Sequence, residues 1–258
     1  MTSLRRSTVR KSTLRILHLY PRELGINGDA GNVMTLVQRA EWRGIEAQVL
    51  TRGIGGRLPD HVDLVHIGTG QATAQRTVHP DLMTVAERLR EWSSDGVPML
   101  AVTAGWQLFG RELELVDGTV LEGVGILPSR ARLVADRVIG EITGTGADGE
   151  LIAGFENHGA VTTLLDGASP FMTVSRGFGN ACRSEVSGPR VEGVRDGVNI
   201  GTNLHGPFLP MNPACADEFL RSALRRRGEE LPEPDDRTAA VDLLAKNARE
   251  AVVARLGG

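Results

Sequence analysis

A short segment near the middle of the chain has the composition of a turn that exposes a reactive side chain. The apolar run 98–102 leads directly into Thr103, and small residues and a short helical stretch at 106–111 follow. A strand that turns at once into a helix lifts the turn residue above the sheet, as in a nucleophile elbow. Open α/β sheets bind ligands at this carboxyl edge. An ordinary strand-turn-helix connection has the same pattern, so both interpretations stay open at this point.

Two histidines have the setting of a general base. His205 follows the predicted strand 198–202 and lies in a loop with glycine and proline on its C-terminal side. A histidine on a loop at a strand end is well placed for proton transfer. His158, in the polar segment 155–159, is a second candidate. Either residue is equally compatible with a structural role in a turn.

Two further features suit the binding of negative charge. The turn 68–71 has the sequence Gly-Thr-Gly-Gln and follows a predicted strand. Such a turn can present backbone N–H groups to an oxyanion, although a simple tight turn has the same pattern. Arg137 can bind a carboxylate through two parallel hydrogen bonds. A solvated surface position is the alternative interpretation for this arginine.

Several site classes are excluded or not indicated. Lysine occurs only at Lys11 and Lys246, so the chain lacks the G-x-x-x-x-G-K-[ST] phosphate loop, and no G-x-G-x-x-G follows a predicted strand. The histidines outside the candidate segments show no metal-ligand spacing, so no metal site is predicted. They are His18, His61, His66 and His79. Both cysteines, Cys182 and Cys215, are interpreted as structural because neither follows an elbow-like strand.

The composition is that of a globular protein of one large or two small domains. The chain has 258 residues, of which 41% are hydrophobic and 24% charged, and its net charge is −3. This balance offers no basic field for nucleic acid or for an anionic membrane. No apolar run approaches the roughly 20 residues of a membrane span. Two cysteines are too few for a disulfide framework, and a cytoplasmic location is predicted.

The elements that must position these residues alternate in the first half of the chain. Apolar periodicity predicts strands at 14–20, 46–50, 64–67 and 98–102, and helices at 30–43, 80–92 and 106–111. This rhythm predicts an α/β fold with a mostly parallel sheet and helices on both faces.

The second half of the chain is predicted to form short β-strands followed by two helices. The predicted strands are 121–127, 130–135, 138–143, 151–155, 160–163, 172–176 and 198–202. We expect them to extend the same sheet, partly in antiparallel orientation. A helix at 213–227, a proline-broken linker at 228–235 and a helix at 236–256, capped by Asp235 or Asp236, complete the chain. Residues 1–13 are predicted to be a disordered basic tail.

Taken in order, these segments resemble the class I glutamine amidotransferases. The similarity is to the cobyric acid synthase-like branch, and within it to the amidotransferase subunits of lipid II isoglutaminyl synthases. Residues 14–220 carry it. The matching motifs are LYP at 19–21, NGDAGN at 27–32, RAEWRG at 39–44, GTGQ at 68–71, the segment 98–110, DR at 136–137, GFENHG at 154–159 and GTNLHGPFLP at 201–210.

The resemblance implies a fold, a reaction and a partner. The fold would be a flavodoxin-like three-layer sandwich over residues 14–227, with the linker and C-terminal helix at 228–258. The reaction would be the hydrolysis of glutamine to glutamate and ammonia. The ammonia would pass to a Mur ligase-like partner in a heterodimer, which amidates the D-glutamate of the peptidoglycan stem peptide. ATP and magnesium are expected in that partner, and no cofactor is expected in this chain.

The resemblance also implies roles for individual residues. Thr103 occupies the position of the nucleophile and His205 that of the base. The implied oxyanion loop consists of Gly68, Thr69 and Gly70, with Ala104. The implied glutamine-binding residues are Arg137, Gln107 and Gln71.

The sequence departs from the family pattern around this site. Thr103 replaces the family's cysteine, and Thr69 replaces the second glycine of the oxyanion loop. Ala72 and Ala74 stand where acidic residues usually follow that loop, and no glutamate lies two residues after His205. Two hypotheses follow: hydrolysis continues through Thr103, or the chain is a degenerate glutaminase that acts as a binding or regulatory subunit. A third, weaker one is a different hydrolase or transferase activity in the same pocket.

Overall fold

The computed structural model describes residues 13–185, 188–205 and 207–257, so nearly all of the predicted basic tail at 1–13 lies outside the described residues. The described strands are β1 Leu14–Leu19, β2 Ala47–Arg52, β3 Leu64–Ile67, β4 Met99–Val102, β5 Glu112–Glu114, β6 Val120–Glu122, β7 Ser129–Gly146, β8 Leu151–Leu164, β9 Met172–Arg176, β10 Val191–Glu192, β11 Val194–Asp196, β12 Asn199–Thr202 and β13 Leu204–His205. The described α-helices are α1 Ala30–Trp42, α2 Ala72–Thr84, α3 Ala86–Ser94, α4 Ala104–Phe109, α5 Phe208–Met211, α6 Pro213–Arg225 and α7 Asp236–Arg255.

The first sheet has six strands in the order β11-β12-β4-β3-β1-β2. Five of them run parallel, and β11 pairs antiparallel with β12 at the edge. All residues of β3, β4 and β12 are buried, as expected for parallel strands covered on both faces. The predicted α/β class with a mostly parallel sheet is confirmed.

A separate apolar core covers each face of this sheet. On one face, residues of β1, β3 and β4 pack with α2, α3 and α4 around Trp92 and Trp106. On the other face, neighbouring residues of the same strands pack with α1, α5 and α6 around Phe208 and Phe219. Because side chains alternate along a strand, each strand contributes to both cores. This arrangement gives the three layers that the family resemblance implies.

Most strands of the second half form their own sheet instead of extending the first. This seven-stranded sheet contains β5 to β10 and β13, and only β11 and β12 join the first sheet. The predicted pairs 130–135 with 138–143, and 151–155 with 160–163, are the single long strands β7 and β8. A bulge between Leu133 and Val138 lets β7 continue through a polar stretch that we interpreted as a break. The predicted strand 121–127 is limited to β6.

The predicted helix 80–92 was wrong in its start and in its continuity. Helix α2 begins at Ala72 and contains Pro80 in its interior, and α3 follows after Val85. Proline favours the first turn of a helix, but Pro80 lies in the interior of α2. Val85 leaves helical geometry at φ −116° and ψ 4°, and separates the two helices.

The C-terminal helix is tied to the main body by ion pairs. Asp235 caps α7 by accepting the backbone N–H of Thr238 at 2.8 Å. Buried Arg39 of α1 contacts Asp242 of α7 at 2.6 Å and Asp217 of α6 at 2.7 Å. Three helices thus meet at one guanidinium group. Within the described residues, no helix combines the length and the apolar character that crossing a membrane requires.

Candidate functional site

Thr103 lies at the sharp turn between β4 and α4, where the sequence placed it. Its backbone has φ 42° and ψ −94°. This is a strained geometry for a β-branched residue. Hydrogen bonds on both sides hold the turn: the N–H of Thr103 donates to Thr202 O at 2.8 Å, and Thr103 O accepts from Gln107 N at 2.8 Å. The turn therefore lifts the Thr103 side chain above the carboxyl end of β4.

Close packing behind the turn requires glycine at two positions. A Cβ atom at Gly105 would lie 2.6 Å from Ile67 O, and one at Gly201 would lie 2.4 Å from the ring of Trp106. Real Cβ atoms do not approach other atoms this closely. Helix α4 thus sits directly against the ends of β3 and β12, and this fixes the direction in which Thr103 points.

His205 lies within hydrogen-bond distance of Thr103. The Oγ1 atom of Thr103 and the Nε2 atom of His205 are 2.9 Å apart, and both residues are buried. Burial lowers the pKa of His205 to about 4, although the charge of Asp29 acts in the opposite direction. The imidazole is therefore neutral near pH 7. In the tautomer protonated at Nδ1, its Nε2 atom accepts the threonine O–H, which is the contact that a general base makes.

A buried carboxyl group holds the turn that precedes His205. Glu192 accepts hydrogen bonds from the Thr202 hydroxyl at 3.0 Å and from the backbone N–H of Asn203 at 2.6 Å. Burial raises the pKa of Glu192 to about 8. Sequence reasoning missed this residue, because Glu192 lies ten positions before the segment that it supports. No short-range signal in the sequence connects the two.

His158, the second predicted base, is buried beside the site without bonding to Thr103. Its Nδ1 atom is 3.1 Å from Ala160 O, and its Nε2 atom has no hydrogen-bond partner among the described residues. Burial lowers the pKa of His158 to about 4. The structure therefore joins Thr103 to His205 and leaves His158 as a neutral group in the cavity wall.

The glycine-rich turn 68–71 packs against α4 and the loop before α1. Gly68 O accepts the backbone N–H of Gly105 at 2.9 Å. A Cβ atom would lie 2.0 Å from Asp29 Oδ2 at Gly68 and 2.5 Å from Glu23 O at Gly70, so both positions need glycine. Thr69 fits between them and is buried. Ala104 is the first residue of α4, so its N–H has no partner within the helix and is available to an oxyanion.

These segments surround a cavity of about 550 Å³. The predicted site residues that line it are Thr69, Gly70, Gln71, Thr103, Gln107 and Arg137. The other three, Gly68, Ala104 and His205, adjoin these residues but do not form its wall. The structure therefore assembles residues from well-separated parts of the sequence around one cavity.

Two cavity residues without a predicted role hold the predicted ones in place. Gln75 Nε2 donates to Gln107 Oε1 at 2.6 Å. Arg137 Nε donates to Asn157 Oδ1 at 2.9 Å. Asn157 belongs to the GFENHG motif, which was a usable signal. Gln75 falls in the segment that we did not predict as helix, and its orientation toward the cavity was therefore missed.

The cavity wall contains no cysteine among the described residues. Cys182 is buried, with its Sγ atom 3.3 Å from Ser184 Oγ. Cys215 lies in the first turn of α6, and burial raises the pKa of its thiol to about 12. No described thiol takes the place of the one missing at position 103, and the hydroxyl of Thr103 is the nucleophile that the geometry offers.

One cluster of possible metal ligands is not indicated by the spacing of histidines in the chain. Folding brings His18 and His66 together with Asp29. The three residues come from β1, from the loop before α1 and from β3. Pairing of the parallel strands β1 and β3 places His18 opposite His66, a register that local spacing does not reveal.

Comparisons with known proteins support the family resemblance that the sequence motifs indicate. Residues 15–213 match the model of the CobB/CobQ-like glutamine amidotransferase domain. The chain is 33% identical over 219 residues to the GatD subunit of the glutamine-hydrolysing lipid II isoglutaminyl synthase of Staphylococcus aureus, covering 83% of this chain and 86% of the relative. It is 31% identical over 242 residues to the GatD subunit of Streptococcus pneumoniae, covering 92% and 89%.

Solved structures share the fold at low sequence identity. A glutamine amidotransferase from Thermotoga maritima aligns with a TM-score of 0.52 and 13% identity, covering 93% of both chains. At this identity the likeness concerns the fold alone. It supports the three-layer architecture described above.

Proposed function

The chain belongs to the CobB/CobQ-like glutamine amidotransferase family, and from this premise we propose that it is the amidotransferase subunit of a two-protein amide ligase. In this proposal it supplies ammonia from glutamine to a Mur ligase-like, ATP-dependent partner. The partner amidates the D-glutamate of the peptidoglycan stem peptide in lipid II. Both GatD relatives bear the name of such a ligase, and each aligns with this chain over most of its own length.

The contact between Thr103 and His205 is the observation that carries the proposal. His205 takes the hydroxyl proton while Thr103 Oγ1 attacks the side-chain amide carbon of glutamine. The oxyanion lies toward the N–H groups of the Gly68 turn and of Ala104. The protonated imidazole then gives its proton to the leaving nitrogen, and ammonia departs. Water hydrolyses the resulting ester, releases glutamate and restores the threonine.

The cavity also contains a group that can bind the α-carboxylate of glutamine. The exposed guanidinium of Arg137 is held by Asn157 at the cavity wall and is available to the α-carboxylate of glutamine. Ile26 and Val116 are exposed apolar residues at the same cavity. We expect the partner to cover this face, because ammonia released at Thr103 must not escape into water.

A specific observation favours a second function, in which glutamine binds and is not cleaved. Thr103 offers a hydroxyl where the chemistry of the family uses a thiol, and a hydroxyl is far harder to ionise. A chain of this kind would act as a binding or regulatory subunit, and its partner would use free ammonia. Both functions use the same cavity and the same partner.

Ammonia release from glutamine separates the two functions. The assay compares the wild-type chain and His205→Ala, each with and without the co-purified Mur ligase-like partner, and uses His61→Ala as an exposed-histidine control. Release by the wild type and the control, but not by His205→Ala, supports the first function. If glutamine binds by calorimetry and no preparation releases ammonia, hydrolysis is refuted and the binding function stands.

A further inference from the structure

Three buried side chains beside the Gly68 turn meet in the way that ligands of a metal ion do. His66 Nε2 lies 2.6 Å from Asp29 Oδ2, and His18 Nε2 lies 3.9 Å from the same oxygen. The three ligand atoms all fall within 4.8 Å of one another. Asp29 and His66 are almost fully buried, and His18 keeps 5% exposure.

The hydrogen bonds of the fold leave this cluster incomplete. His66 Nε2 bonds to one carboxylate oxygen of Asp29, and Asn32 Nδ2 donates to the other at 3.3 Å, but His66 Nδ1 has no hydrogen-bond partner among the described residues. The Nε2 atom of His18 has no hydrogen-bond partner among the described residues, although it is buried and directed at the carboxylate. Buried polar atoms are rarely left unpaired, and each exception calls for an explanation such as an ion.

The spacing suits one ion of the size of Zn²⁺. Zinc binds imidazole nitrogen and carboxylate oxygen at about 2.0–2.2 Å, so two ligands of a tetrahedral site lie about 3.3 Å apart. The observed separations of 2.6 and 3.9 Å lie on either side of that value. All three ligand atoms lie within 4.8 Å of one another, so side-chain rotations are enough to bring them to one ion. The 50° tilt between the rings of His18 and His66 keeps them from stacking flat against each other.

We propose that His18, Asp29 and His66 form a binding site for a divalent first-row transition metal ion, separate from the cavity at Thr103. Two imidazoles and one carboxylate favour Zn²⁺, Co²⁺, Ni²⁺ or Fe²⁺ over Mg²⁺ and Ca²⁺, which prefer oxygen ligands. None of the three ligands lines the cavity around Thr103.

The position of the site gives the ion a structural role. Its ligands join β1, the loop before α1 and β3, and the chain continues from β3 into the Gly68 turn. A Cβ atom at Gly68 would lie 2.0 Å from Asp29 Oδ2, so the carboxylate lies directly against that turn. An ion held by Asp29 would therefore order the loop that presents backbone N–H groups to the cavity.

Metal binding by the full chain tests the proposal without glutamine turnover. Protein treated with a chelator and then dialysed is titrated with Zn²⁺ by calorimetry and with Co²⁺ by visible absorption. We expect one ion per chain and a Co²⁺ spectrum typical of nitrogen and oxygen ligation. His18→Ala and His66→Phe should each weaken Zn²⁺ binding by at least about 100-fold relative to His61→Ala, which removes an exposed histidine.

A thermal readout protects the test against variants that fail to fold. Zn²⁺ should raise the melting temperature of the wild type and of His61→Ala, and leave that of each folded cluster variant unchanged. Failure of the wild type to bind Zn²⁺ or Co²⁺ would overturn the proposal even if both variants are unstable. Unchanged binding in either folded cluster variant would also overturn it.

Discussion

Replacing Thr103 with cysteine should turn this site into a fast glutaminase. The base is already in place, since Oγ1 of Thr103 lies 2.9 Å from Nε2 of His205. Burial keeps that imidazole neutral and able to accept a proton. Sulfur at the same position would lie within reach of the same nitrogen, so the substitution changes the acidity of the nucleophile and leaves its surroundings intact.

The size of the effect follows from acidity and nucleophilicity. A hydroxyl is a far weaker acid than a thiol, whose pKa is about 8.5, and the two differ by roughly seven pKa units. The thiolate is thus about 10⁷ times more populated. Because a thiolate is less basic than an alkoxide, each thiolate is also less nucleophilic, with a Brønsted coefficient of about 0.4–0.5, and this reduces the rate increase. A net increase in kcat of about 10⁴-fold remains.

Thr103→Ser is the matched control because it keeps the hydroxyl and removes only the methyl group. We expect its kcat to stay within about tenfold of that of the wild type. Thr103 is a β-branched residue with a strained backbone at φ 42°. Because serine and cysteine are not β-branched, both variants should relieve part of this strain and raise the free energy of unfolding by about 1 kcal/mol. Ammonia release and urea unfolding measure the two effects. If Thr103→Cys turns over glutamine no faster than Thr103→Ser, while both bind it, the reasoning is wrong.

Three further predictions concern the scaffold. Gly201→Ala places a Cβ atom 2.4 Å from the indole ring of Trp106 and should lower the free energy of unfolding, measured in urea, by about 1–3 kcal/mol. The control Gly140→Ala, whose Cβ atom would have no neighbour within 4 Å, should leave it unchanged. Equal effects of the two substitutions would contradict the packing argument. Asp217→Asn removes the charge shared by two buried guanidinium groups and should cost about 3 kcal/mol, whereas the more exposed Asp242→Asn should cost less than about 1 kcal/mol. The reverse order in urea unfolding would refute this. By NMR, the ring of His205 should stay neutral as the pH falls from 7.5 to 5.5 and protonate only near 4. Because its folded pKa lies below the unfolded value of about 6.5, its contribution to stability is present above pH 6.5 and is lost as the pH falls toward 4; a midpoint near 6.5 would show that the ring is solvated.

Periodicity along the chain predicted five of the six strands of the first sheet, all but β11, and the elements that carry the elbow. Strands β1, β3 and β4 and helix α1 lie within two residues of their predicted bounds, because their apolar residues are buried by local, regular packing. The second sheet was harder to predict. A β-bulge in β7 carries the strand past polar Asp136 and Arg137, and a pattern of alternation breaks at such a point although the strand does not.

The predicted site residues had local signals, as did Asn157, which holds Arg137, but other supporting residues did not. The turns at Thr103 and Gly68 follow buried strands, which is visible in the sequence. Glu192 acts through the backbone N–H of Asn203, and His18 meets His66 through strand register. Contacts of this kind depend on which strands pair and at what offset. Single-sequence patterns do not contain that information.

The geometry of the elbow is a property of the scaffold and not of the residue at its tip. A β-branched residue is poorly suited to φ 42°, yet Thr103 adopts it because the contacts around the turn over-determine its backbone. Its N–H bonds to Thr202 O, and the N–H of Gly105 bonds to Gly68 O. These contacts do not involve the side chain at position 103. The backbone geometry is therefore kept whichever atom is the nucleophile, and that atom sets the rate at which the site reacts. For this reason a single substitution should be enough to raise turnover, and replacing Thr69 by glycine alone should not.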